Sequence, residues 1–147
     1  MIVNAEDIKT EILKKVSGKL NPEKNFVGFS DQMYYKPTFV EFRDYVKYNK
    51  ITISPSNPIA RTEGFDCDDY SFLLKGHISV FNREIAKKEH SWAVGIIWGE
   101  FTWMKGLHAT NWIATRDSGL WLYEPQYYMD GFYQFDQCTG NVQLIIF

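Results

Sequence analysis

Three short stretches hold the residues whose types and order can do chemistry: Gly64 to Tyr70 around Cys67, His108-Ala109-Thr110-Asn111-Trp112, and Glu124-Pro125-Gln126. In chain order they supply a thiol, an imidazole and a carboxylate. Nucleophilic thiol chemistry needs these groups as nucleophile, base and orienter of the base. Asp66, Asp68 and Asp69 crowd Cys67, and like charges disfavour another anion nearby. Two offsets are available: an imidazolium at His108, or a divalent cation held by some of the aspartates. Taken singly, Asp68 and Asp69 also suit the first turn of a helix, where the macrodipole favours acids.

The elements that must position these groups follow from hydrophobic period. Ile8, Ile12, Leu13 and Val16 recur at helical spacing after Asn4, a capping residue, and before Gly18. Thr38 and Glu41 form a capping box, and Phe39, Phe42, Tyr45, Val46 and Tyr48 make the stripe of a second helix ending near Asn49. A short extended piece at Ile51-Thr52-Ile53 leads into a proline loop, Ser54 to Pro58. From Asp66, the residues Tyr70, Leu73, Leu74, His77, Ile78 and Phe81 predict a third, buried helix ending between Glu84 and Lys88, with Cys67 on its first turn. His77 falls on its buried stripe, and His90 beyond it is expected at the surface.

After His90 the pattern turns to β-branched and aromatic residues. Strands are expected over Ser91–Trp98, Leu107–Thr115, Leu120–Tyr123 and Gln143–Phe147. Helices first and a mostly antiparallel sheet afterwards predict an α+β layout, with the Cys67 helix central and packed on the sheet. Two hairpin registers are open. A loop Asp117-Ser118-Gly119 pairs Glu124 with Trp112, and a loop centred on Arg116 pairs Glu124 with His108. Both put His108, Thr110, Trp112, Glu124 and Gln126 on one face, because side chains alternate with period two. Asn111 falls on the other face, so Glu124 is preferred as the orienting residue.

Composition narrows the classes. A chain of 147 residues is expected to be one domain, 1–147, able to bury about two-thirds of its unfolded surface. A net charge of −2 with scattered Lys and Arg points away from nucleic acid. Two cysteines are too few for a disulfide scaffold, and Cys138 reads as incidental. The start, Met1 to Asp7, has no secretory pattern, so synthesis in the cytoplasm is expected, and no run is long enough to span a membrane. The aromatic residues Tyr127, Tyr128, Phe132, Tyr133 and Phe135 read as an exposed cluster suited to a cleft or an interface.

The set Phe65 to Tyr70, His108 to Asn111 and Glu124 to Gln126 resembles the papain-like cysteine protease domain of the Marasmius oreades agglutinin type, over roughly Asp66 to Gln126. The resemblance implies a papain-like fold, Cys67 as nucleophile, His108 as base, Glu124 as its partner, activation by calcium or manganese, and a peptide or protein substrate. The β-trefoil lectin domain of that family has no counterpart in these residues. The Cys67 N–H is one oxyanion donor, with Gln32 or Arg61 as a second, and Trp112 is placed to shield the His108–Glu124 bond. Two other readings stand beside this cysteine hydrolase. The same architecture serves transglutaminases and peptidoglycan amidases. Alternatively the domain is a non-catalytic binding or structural module stabilised by calcium, with an unreactive Cys67.

Overall fold

A computed structural model describes residues 1–21, 23, 26–28, 30–49, 66–87 and 89–146, without the side chains of Tyr128, Leu144 and Ile146. The expected extended piece Ile51–Ile53, the proline loop, and Arg61, Gly64 and Phe65 lie outside the described residues. Strand β1 (Ile2–Asn4) leads into helix α1 (Ala5–Lys15), whose N-terminus is capped by the Asn4 side chain accepting from Glu6 N–H at 2.9 Å. Beyond it Gly18 turns the chain at φ +76°, a left-handed conformation that glycine adopts without strain. Strands β2 (Phe26–Gly28) and β3 (Met33–Tyr35) follow. In α2 (Phe39–Asn49) the expected capping box is present: Glu41 N–H donates to Thr38 Oγ1 at 3.0 Å and Thr38 N–H to Glu41 Oε2 at 2.6 Å. Helix α3 (Cys67–Val80) runs into a π-helical turn, Phe81–Ile85, close to the expected end.

The strands β4 (Val94–Phe101), β5 (Met104–Thr115), β6 (Gly119–Tyr123), β7 (Phe132–Gln134) and β8 (Cys138–Ile146) form, with β2, a six-stranded sheet in the order β2-β8-β4-β5-β6-β7. Every pairing is antiparallel except β2 with β8. Strands β1 and β3 pair separately. Both faces of the sheet are covered. Trp112 and Ala114 pack with Ile8 and Ile12 of α1 and its C-cap Val16, whereas Ile113 packs with Phe42, Val46, Leu74 and Ile78 of α2 and α3. From His108 to Thr115 every residue is buried.

The expected arrangement with the Cys67 helix at the centre is therefore corrected: the sheet is the middle layer and organises the fold. The reason lies in burial, because a strand apolar on both faces must be sandwiched, while α3 buries only Tyr70, Ser71, Leu74 and Ile78. His77 accordingly points outward and is exposed, against expectation, and His90 is half-buried. The aromatic cluster is corrected as well. Phe135 is buried, Phe132 packs on Phe39, Phe42 and Tyr123, and Tyr133 stacks on Trp103 at 3.9 Å, so these rings close the core.

Candidate thiol site

Cys67 is the first residue of α3, and the acids around it are partly engaged in ending the helix. Asp66 is the N-cap, accepting from Asp68 N–H at 3.4 Å, and its own N–H donates to Asp69 Oδ2 at 3.0 Å, completing a capping box. This arrangement satisfies backbone donors that a helix start otherwise leaves open. The thiol itself is half-buried, and Ala109 N–H of β5 donates to its sulfur at 3.4 Å. Helix start and strand thus meet at the sulfur.

His108 and Glu124 come together, as expected, although in a register between the two considered. Asn111 faces Tyr123 and Thr115 faces Gly119, so the turn is Arg116-Asp117-Ser118, with Gly119 at φ +77°. The parity is kept. Glu124 lies just past β6 and before a 3-10 turn, Pro125–Asp130, and its carboxylate is hydrogen-bonded to His108 Nε2. The other carboxylate oxygen accepts from Gln126 N–H at 3.0 Å, and Glu124 N–H donates to the Gly131 carbonyl at 2.8 Å. Glu124 is 0% exposed and His108 6% exposed. Burial works against charge on His108, but hydrogen bonds with Cys67 and Glu124, and their negative charge, outweigh it and raise its pKa from 6.5 to about 9. The imidazole therefore holds its proton at neutral pH, between a sulfur and a carboxylate. That arrangement can stabilise a thiolate and lets the sulfur attack an electrophilic carbon.

Other expectations resolve differently. Trp112 is buried in the core with α1, and the ring packed edge-on against His108 is Phe101, with centroids 6.3 Å apart. Gln32 is exposed and lines a surface cleft with His90 and Ser91, and Arg61 is outside the described residues. Cys67 and Cys138 are both free, and burial pushes the Cys138 thiol up to about 11. Among the described residues, the one group with metal-ligand spacing is Asp66, Cys67 and Asp68, without Asp69. The Asp68 carboxyl is raised above its usual range, chiefly by its hydrogen bond with Asp66, then by burial and neighbouring negative charge. A divalent cation would relieve that crowding, so Asp66 and Asp68 fit as two of the oxygen ligands for calcium or manganese. The contact that sequence reasoning missed is Asn111, whose amide reaches α3.

Fold and site together define a sheet-centred module with a buried imidazole–carboxylate pair at a helix-borne thiol. Residues 48–128 match the agglutinin C-terminal family, and the chain belongs to it. No curated protein matches. Two solved structures share the fold: one titled PSL1a-E64 complex, with a TM-score of 0.78, and the lectin of Polyporus squamosus bound to the human-type influenza-binding epitope Neu5Aca2-6Galb1-4GlcNAc, with a TM-score of 0.71. Each is 21% identical to this chain and covers 99% of it. The chain spans about half of each, 51% and 49%.

These likenesses correct three expectations. The fold is shared with the Polyporus squamosus lectin structure and is organised by this chain's central, mostly antiparallel sheet, so the papain-like α+β class with a central Cys67 helix is replaced. Membership of the agglutinin C-terminal family likewise overturns the expected cysteine hydrolase or protease, and with it the peptide or protein substrate. The physical reason is that a thiol–imidazole–carboxylate set recurs on unrelated folds and does not by itself define a reaction. No helix among the described residues is long and apolar enough to cross a membrane.

Proposed function

We propose that this chain is a carbohydrate-binding module of the agglutinin type, in which Cys67, His108 and Glu124 form a reactive-thiol centre. Membership of the agglutinin C-terminal family supports the first part. The observation that carries the second is the fully buried Glu124 carboxylate bonded to His108. A buried ion pair is a poor stabilising device, since apolar residues of like volume commonly do as well or better. Strongly perturbed groups of this kind concentrate at functional sites. Calcium or manganese, held by Asp66 and Asp68 with Asp69 close by, is proposed to tune the centre by offsetting the negative charge at the helix start.

Two measurements test the reading. Iodoacetamide treatment with peptide mass spectrometry should label Cys67 rapidly at neutral pH and leave Cys138 unlabelled until the chain unfolds. Equal labelling of the two would refute the reactive centre. A glycan array probed with the chain should return sialylated or galactosylated ligands, and a blank array would remove the carbohydrate-binding part.

A further inference from the structure

We infer that Asn111 is a positioning residue for the thiol centre: its buried side-chain amide pins the Cys67 helix to the strand that carries His108. The inference rests on the reactive-thiol reading above. Asn111 is 0% exposed, and its Nδ2 donates both to the Ser71 carbonyl of α3 at 3.0 Å and to the Gly95 carbonyl of β4 at 3.1 Å. Ser71 is one helical turn beyond Cys67, and its Oγ donates back to the Cys67 carbonyl at 2.9 Å. Asn111 is three residues along β5 from His108. The path Cys67–Ser71–Asn111–His108 therefore closes on itself through directional bonds, with Ala109 N–H to Cys67 Sγ as its second fastening.

Apolar contacts between α3 and the sheet add to these bonds. Leu74 and Ile78 meet Val94, Ile113 and Tyr123 through apolar packing, which is non-directional and tolerates sliding along the helix axis. Two fastenings, spaced about 6 Å apart along α3 at 1.5 Å per residue, remove that freedom. Stability alone does not account for the choice of asparagine. Its Oδ1 is buried without a hydrogen-bond partner, a cost that an apolar side chain would avoid. A polar group retained at such a cost gives positional uniqueness, as buried polar networks do elsewhere.

The test compares Asn111→Ala, Ser71→Ala and the packing control Leu74→Ala with the wild-type chain, in chelator, at one neutral pH. The readouts are the rate of Cys67 alkylation by iodoacetamide, the ultraviolet thiolate band abolished by that alkylation, and the melting temperature. Misplacement by about 1 Å can cost on the order of 100-fold in rate. We expect Asn111→Ala to slow alkylation at least about tenfold and weaken the thiolate band, and Ser71→Ala to do the same to a smaller degree. Leu74→Ala should lower the melting temperature while leaving rate and band near wild type. Should Asn111→Ala not fold, Ser71→Ala decides. Wild-type rate and band in the folded Asn111 variant, or in Ser71→Ala where it decides, would overturn the inference, as would an equal loss in Leu74→Ala. A wild-type Cys67 no more reactive than an unfolded-chain thiol would instead remove the centre itself, and the positioning role with it.

Discussion

Replacing Glu124 with glutamine keeps the shape of the buried side chain and deletes its charge. In the wild type, His108 is raised from 6.5 to about 9 by Cys67 and Glu124 against the opposing effect of burial. One pKa unit corresponds to about 1.4 kcal/mol, so the rise represents on the order of 3 kcal/mol of preference for the protonated, folded state. The sign follows from the direction of the shift. A group raised on folding contributes its full stability below its unfolded value, near 6.5, and loses it as pH climbs through about 9. Urea unfolding of both proteins at intervals across that window therefore has a defined outcome. Wild-type stability should fall more steeply with rising pH than that of Glu124→Gln, by a share of that roughly 3 kcal/mol, because the variant keeps the contribution of Cys67 and loses that of the carboxylate. Parallel profiles across the window would refute the idea that Glu124 holds the proton on His108.

Further outcomes follow from the same structure. Calcium or manganese should raise the melting temperature of the wild type by mass action, and the gain should disappear in Asp66→Asn with Asp68→Asn, measured by differential scanning fluorimetry. Asp66→Ala should also cost about 1 kcal/mol in the absence of metal through loss of the α3 cap, readable by urea titration. Phe42 is 1% exposed and packs edge-on against Tyr123 and Phe132, so Phe42→Ala should cost about 3–5 kcal/mol, a loss visible as a lower urea midpoint.

Legibility in the chain tracks the distance over which each feature is decided. The Asn4 cap, the Thr38–Glu41 capping box and the stripes of α1 and α2 are short-range features, and each forms where periodicity puts it except at Tyr48, expected on the α2 stripe but 73% exposed at the helix end. The meeting of His108 with Glu124 was legible because parity survives any even change of register, even though the true turn lies between the two considered. The short strands β1, β2, β3 and β7 were not legible. Three residues carry no period, and β1, β2 and β3 exist only by pairing with a strand far along the chain, as Phe26–Gly28 does with Leu144–Ile146. His77 misled for a related reason: its spacing fits the stripe of α3, but only the angle at which the helix meets the sheet decides which residues of that stripe are covered.

What the sequence alone determined is which chemistry was available: a thiol at a helix start among acids, an imidazole on a strand, and a carboxylate after the next strand. Tertiary structure decided what those groups became. Sandwiching β5 between helices removes water from His108 and Glu124, and in that low-dielectric setting a carboxylate holds a proton on the imidazole that solvent would leave free to dissociate at neutral pH. It also decided that Asn111, set aside in the sequence because it falls on the other face from His108, reaches across to the carbonyl of Ser71. Dielectric surroundings and cross-element contacts are properties of packing, and packing joins residues that no local pattern relates.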